Sequence, residues 1–314
     1  MVITSRTLDR PAAVLSYSPV VLPVPGRPVD LHLRVSVPQT GAKLPVILLS
    51  HGHGPSNNLS SLNGYAPLAS LWAQLGFAVV QPTHLSSRTL SSVLEGEPGG
   101  PFFLRSRPED MTHILDALEE IEKTMPGLAG RLDHDRVAVA GHSLGGFSAS
   151  QLLGVRLTDD PDSDLRDPRI KAGVLLAAPG RGGDVLNGPA AQLVADFHSI
   201  DFSTMTTPTL VVTGDKDNPA HFTDMGPAWH ADPYHLAPSP KTLLTLYGAE
   251  HGLGGIAGYD AAETTDENPA TVTALARLTA AYLRSELYPD DNAWDAAQAE
   301  LTTGADAVGR VEAK

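Results

Sequence analysis

The chain has 314 residues, of which 42% are hydrophobic and only 18% charged, the balance of a globular protein that buries a sizeable core. Lysine and arginine total 22 against 36 acidic residues, giving a formal net charge of −14; no basic run is present to neutralise a phosphate backbone, which argues against nucleic acid as a partner. The absence of cysteine removes disulfides, thiolate metal sites and cysteine nucleophiles.

The N-terminal Met1-Val2-Ile3-Thr4-Ser5-Arg6 lacks the apolar region of a signal peptide. No stretch approaches the roughly 18 uncharged apolar residues of a membrane span, so a cytoplasmic protein without a membrane segment is expected. Val14 to Leu22 and the alternating Val29, Leu31, Leu33 and Val35 predict an antiparallel hairpin around Pro25-Gly26. Uninterrupted apolar runs then follow at Pro45 to Leu49, Phe77 to Val80, Val137 to Ala140, Ala172 to Leu176 and Leu210 to Val212. Such runs fit strands buried on both faces of a parallel sheet.

Between them lie helical patterns at Leu68 to Leu75 and Phe147 to Val155. A third opens with a capping-box spacing at Ser106-Arg107-Pro108-Glu109 and carries Met111, Ile114, Leu115, Leu118 and Ile121 on one face. Asn268-Pro269 starts another, with Val272, Leu275, Leu278 and Tyr282 inward. The alternation predicts an α/β fold with a mostly parallel, doubly wound sheet in a single domain spanning 1–314. Loop insertions fall at about 84–105, 179–207, 218–240 and 252–267, mostly after a strand's C-terminal end, where open α/β sheets bind ligands. In the C-terminal tail, 291–314, Trp294, Ala297 and Leu301 have the spacing of a short helix that docks on the body of the chain.

The strongest chemical signal is Gly141-His142-Ser143-Leu144-Gly145-Gly146. It follows an apolar strand and precedes a helical pattern, the context in which G-x-S-x-G forms a sharp turn that presents a serine hydroxyl. A serine needs a base, the base an orienting carboxylate, and the developing oxyanion preorganised donors. The carboxylate is expected after a later strand, where Thr213-Gly214-Asp215-Lys216-Asp217 offers two; Asp217 is preferred and Asp215 assigned to a turn hydrogen bond. His251 follows the last strand pattern, Thr242 to Tyr247, and is the expected base; its neighbour Glu250 is assigned to solvent. Ser50-His51-Gly52-His53-Gly54 follows the Pro45 to Leu49 strand, so the backbone amides of His53 and Leu144 are the expected oxyanion donors. His51-x-His53 is also a metal-ligand spacing, but catalytic zinc takes a third protein ligand and the surrounding sequence offers none, so neither metal nor cofactor is expected. His142 is expected to pack beneath the serine without titrating.

These residues resemble the α/β-hydrolase family over essentially the whole chain. The Ser50 to Gly54 and Gly141 to Gly146 motifs look like the branch of platelet-activating-factor acetylhydrolases, chlorophyllases and predicted dienelactone-hydrolase-like proteins, near the bacterial cutinases and polyester hydrolases. The resemblance implies an eight-stranded sheet with its second strand antiparallel, a Ser-Asp-His triad, and cofactor-free ester hydrolysis. Two departures matter. In the acetylhydrolases the acid follows the strand after the nucleophile helix, but here Leu175-Leu176-Ala177-Ala178-Pro179 carries no carboxylate. Dienelactone hydrolases use a cysteine nucleophile, and this chain has none.

The expected activity is therefore hydrolysis of short-to-medium, neutral, moderately hydrophobic carboxylic esters or lactones, a small-molecule substrate compatible with the acidic surface. His84, Phe102, Phe103, Phe222 and Trp229 are candidate pocket residues, the last two within an insertion that also carries His221, His230, Tyr234 and His235 and that reads either as an aromatic flap or as a surface loop. An amidase, peptidase or acyltransferase would use the same three residues. A ligand-binding protein on the same fold is the non-enzymatic alternative, since fold does not fix function. The sequence leaves the oligomeric state open.

Overall fold

The computed structural model describes residues 12–303 and 307–314. The hairpin expected at the N-terminus is present: β1 (Val14–Leu22) pairs antiparallel with β2 (Leu31–Pro38), with an irregularity between Tyr17 and Val20 where Pro19 has no N–H to donate. β3 (Leu44–Ser50), α1 (Ala66–Gln74) and β4 (Ala78–Pro82) follow. Next come α2 (Ser106–Asp116), α3 (Leu118–Thr124), β5 (Leu132–His142) and α4 (Leu144–Leu152). A short pair, β6 (Arg156–Leu157) and β8 (Ile200–Asp201), lies apart from the main sheet and brackets β7 (Ile170–Leu176) in sequence. The chain ends with β9 (Thr209–Gly214), α5 (Asp232–Leu236), β10 (Lys241–Leu246), α6 (Pro269–Leu287), α7 (Ala293–Thr303) and β11 (Gly309–Ala313).

The main sheet runs β1-β2-β4-β3-β5-β7-β9-β10-β11, with β4 through β10 mutually parallel. The uninterrupted apolar runs are explained by burial on both faces. In β3, Val46 and Leu48 enter the core beneath α2, α3 and α4, while Ile47 and Leu49 enter the one beneath α1 and α6. In β5, Val137 and Val139 divide from Ala138 and Ala140 in the same way.

Three expectations need correction. Among the described residues the sheet has nine strands where the resemblance implies eight, because β11 pairs antiparallel with β10 at the far edge. Gly-Arg-Val-Glu-Ala has one large apolar residue and little strand signal, and it pairs because α7 returns the chain to that edge. The capping box is absent: Arg105 occupies the N-cap with helical φ and ψ, and the Ser106 hydroxyl instead donates to the Phe103 carbonyl at 3.1 Å. The helix there also breaks at Ala117 into α2 and α3, although Met111, Ile114, Leu115, Leu118 and Ile121 are all buried as the spacing requires.

The other helices follow their sequence signals. Asn268 caps α6 by accepting from the amides of Ala270 and Thr271. The tail helix α7 docks on the same chain, with Trp294 edge-on to Tyr282 at 5.6 Å and Leu301 buried. Among the described residues no helix is long and apolar enough to cross a membrane.

Candidate active site

Parallel strands bring their C-terminal ends to one edge, and the loops after β3, β5, β9 and β10 carry the His51 to Gly54 segment, Ser143, Asp217 and His251 respectively. Ser143 joins β5 to α4 with φ 54° and ψ −121°, a backbone conformation that costs energy and persists only where surroundings enforce it. Its N–H donates to the Leu176 carbonyl at 2.9 Å, and its own carbonyl accepts from Gly146 at 2.8 Å. The turn is tight enough that a Cβ on Gly141 would sit 2.0 Å from the Gly145 carbonyl oxygen, so position 141 admits only glycine. Leu144 is the first residue of α4, where a backbone N–H has no acceptor within the helix and is available to a developing negative charge.

Asp217 lies just beyond β9 and is only 2% exposed. Its Oδ2 accepts from His251 Nδ1 at 2.9 Å, while the His251 side chain remains 42% exposed. A second histidine, His230, approaches the same Oδ2 with Nε2 at 3.2 Å, too oblique for an aligned hydrogen bond, and donates through Nδ1 to the Ala178 carbonyl at 2.8 Å. Burial opposes ionisation of Asp217, but the contacts from His230 and His251 outweigh it and hold the carboxyl well below the usual carboxylate range. Asp215 accepts from the Gly248 amide at 2.7 Å, the turn role expected of it. Glu250 is half-buried and accepts from the Thr265 hydroxyl, so it does not simply face solvent.

His142 is buried beneath the serine, its ring 4.9 Å from that of His251. Burial first, then the neighbouring His251, pushes its pKa down to about 3, so the ring is neutral. His53 is half-buried, with its ring edge-on to Phe102 at 5.0 Å. Burial and then Arg107 lower its pKa, and its Nδ1 is buried without a hydrogen-bond partner.

The pocket candidates divide. Phe102 and Phe222 are half-buried. His84 is not a pocket wall: it is fully buried, with Nε2 2.9 Å from Ser50 Oγ and Nδ1 2.8 Å from Asp110 Oδ2. Phe103 packs inward against Leu85 and Leu94. Trp229 is 1% exposed and donates to the Arg181 carbonyl at 2.9 Å. The 218–240 insertion therefore does not form a flap of free aromatics. It folds into a short turn and α5, and its rings line up from Phe222 through Trp229 and His230 to His251, with centroid separations of 5.8, 5.1 and 5.5 Å.

Three residues emerge only in three dimensions. His230 lies 13 residues from Asp217 in sequence yet reaches its carboxylate. Arg107 is completely buried; its guanidinium donates to the His51 carbonyl and to the hydroxyls of Ser86, Ser50 and Ser148, and burial lowers its pKa to about 9. Tyr65 is buried against both Gly52 and His142. No local spacing marks these three, although an arginine on the inward face of a helix is a signal in itself.

Asp217, His230 and His251 also present metal-ligand atoms within 4.8 Å of one another. A cation bound there would displace the Nδ1 proton that His251 gives to Asp217, disconnecting the pair. The arrangement suits proton transfer: a histidine with one nitrogen on a buried carboxylate, and, at the same sheet edge, a serine on a strained turn with backbone amides at a helix start.

A comparison with curated proteins found no match. The model of the family described as "Alpha/beta hydrolase family" matches residues 46–312, which include the serine turn, both loops that carry Asp217 and His251, and most of the sheet. With the nine-stranded sheet and its N-terminal hairpin, this match establishes that the chain belongs to the alpha/beta hydrolase family.

Proposed function

We propose that the protein is a serine hydrolase of carboxylic esters, with Ser143 as nucleophile, His251 as general base and Asp217 as the acid that orients it. The observation that carries this reading is the 2.9 Å bond from His251 Nδ1 to a buried Asp217, at the sheet edge where Ser143 is held at φ 54°. With Nδ1–H donated to Asp217, the proton-accepting nitrogen of His251 is Nε2, the tautomer a base for serine requires.

Ser143 Oγ adds to the ester carbonyl as His251 takes its proton. The amides of His53 and Leu144 donate to the oxyanion. Collapse expels the alcohol with the proton returned by His251, leaving an acyl group on Ser143; water then attacks through the same base and releases the acid. The half-buried Phe102 and Phe222 and the net charge of −14 favour neutral, moderately hydrophobic esters or lactones of short to medium length. An acid after β9 supports the cutinase and chlorophyllase arrangement over that of the acetylhydrolases.

The test is a panel of p-nitrophenyl esters from acetate to palmitate, with rapid detection of an acyl-enzyme burst. The expected result is turnover of the shorter chains and a drop of about 10⁵-fold or more in Ser143→Ala. A Ser143→Ala protein with wild-type turnover would end this reading.

A further inference from the structure

The peptide unit between His51 and Gly52 is gripped from both sides. Its carbonyl accepts from the buried Arg107 guanidinium, and its N–H donates to the Tyr65 hydroxyl at 2.9 Å. Because the peptide is planar, fixing both polar ends fixes its plane and constrains the direction of the next amide, that of His53.

The hydrogen bonds continue from Tyr65 in one direction only. Gly52 N–H can only donate, so the Tyr65 oxygen accepts it, and the phenolic proton goes to His142 Nδ1 at 2.7 Å. A neutral imidazole accepting at Nδ1 carries its proton on Nε2, which donates to the His251 carbonyl at 2.8 Å, a group that can only accept. No other tautomer closes the chain. Both members are held as this requires, since burial pushes the Tyr65 phenol upward and the His142 ring downward.

The fold spends conformational energy on this contact. Tyr65 sits at φ 59°, in the left-handed region, and is anchored there by its own N–H on the Ala257 carbonyl at 2.9 Å. A Cβ at Gly52 would lie 2.9 Å from the Tyr65 hydroxyl and 3.2 Å from His142 Nδ1, so glycine is what lets the backbone close on the pair.

We propose that Tyr65 and His142 are positioning residues: a hydrogen-bond relay of fixed direction that locks the oxyanion loop at Gly52 to the loop that carries the base at His251. The proposal rests on the functional reading above. It makes the donor and base loops one unit, with the nucleophile next in the chain to His142, so the geometry that stabilises the transition state is set before substrate binds.

Two experiments on the full chain test it. In wild type, ¹⁵N NMR of the histidine rings at neutral pH is expected to show His142 with an unprotonated Nδ1 and a protonated Nε2; the opposite tautomer would overturn the relay whatever the activity. Tyr65→Phe, which keeps the ring and removes one oxygen, is expected to lower kcat on p-nitrophenyl butyrate about 10- to 100-fold with KM changed less than about threefold. Affinity for butylboronic acid, a mimic of the tetrahedral intermediate, is expected to fall by a similar factor. His142→Leu combined with Tyr65→Phe is expected to cost no more than the worse single change, because both interrupt one chain. Retained kcat and boronate affinity in Tyr65→Phe, or additive losses in the double variant, would overturn the proposal and leave the tyrosine a packing residue. Failure of the functional reading is seen separately, as Ser143→Ala retaining turnover, and the NMR result does not depend on it.

Discussion

Two serine-histidine-aspartate sets can be traced in this protein, and the one whose three side chains are all hydrogen-bonded, with its serine on β3, its histidine after β4 and its aspartate on α2, is sealed. Ser50, His84 and Asp110 form a continuous chain at 2.9 and 2.8 Å, with Ser50 and His84 at 0% exposure and Asp110 at 1%. In the Asp217–His251 pair the histidine stays partly open to solvent, and Ser143, on its strained turn at the same sheet edge, is half-buried. Ser50 is the last residue of β3, its hydroxyl also taken by Arg107 at 3.3 Å, and Asp110 is further tied to Arg27 at 2.9 Å. Burial first, then Arg107 and Arg27, holds the His84 ring well below its ordinary range, which disfavours the protonated form a base must reach. For a hydrogen-bonded triad to react it needs access, room for a protonated imidazole, and a turn that presents the serine, which is why we assign the chemistry to Ser143.

The contrast can be broken by exchanging the acid on each side. Asp217→Asn is expected to lower kcat by about 10⁴-fold by releasing the His251 tautomer, and to cost stability at neutral pH as well, because the folded protein holds this carboxyl ionised. Asp110→Asn is expected to act on stability alone: it strips a buried partner from Arg27 and costs about 3–5 kcal/mol, measured by urea unfolding, with kcat changed less than about threefold. A loss of turnover in Asp110→Asn comparable to that in Asp217→Asn would contradict the division.

Acid titration sharpens the picture. Burial is the largest cause of lowered pKa values in His51, His84 and His142, so all three stay neutral in the folded protein while the unfolded chain protonates them below about pH 6.5. Their contribution to stability is therefore complete above that pH and is lost as pH falls toward their folded values. Each is expected to contribute a slope of about 1.4 kcal/mol per pH unit, or about 4 for the three, in urea midpoints collected between pH 6 and 4.5. A flat profile there would show that these rings already carry charge when folded.

The smallest effect belongs to the sealed serine. Ser50→Ala is expected to cost about 1–3 kcal/mol, by leaving His84 Nε2 without its donor, and to change kcat less than about threefold. A larger loss of turnover would make Ser50 part of the chemistry.

Much of this is legible in the sequence because it is local. G-x-S-x-G between a strand and a helix, and carboxylate and histidine in chain order after β9 and β10, need no distant contact to be recognised. The apolar runs likewise announce strands covered on both faces. What is not legible depends on residues far apart in the chain. Tyr65 meets His142 across 77 positions, and Arg107 meets the His51 carbonyl across 56. The misreadings have local causes as well. Ser106 has the composition of a cap, but its hydroxyl finds the Phe103 carbonyl first, and the aromatics of the 218–240 insertion turn inward because they extend a row of rings toward His251. His84 resembles a cleft residue by position, yet it is fully buried with both nitrogens bonded in the interior, to Ser50 on β3 and Asp110 on α2.

The central claim, that reactivity resides in Ser143 and not in its buried counterpart, is tested most directly by labelling the native protein with a fluorophosphonate and mapping the modified peptide by mass spectrometry. One equivalent of label on Ser143, lost in Ser143→Ala and kept in Ser50→Ala, is the predicted result. Label on Ser50, or a folded protein that takes up none, would contradict the account.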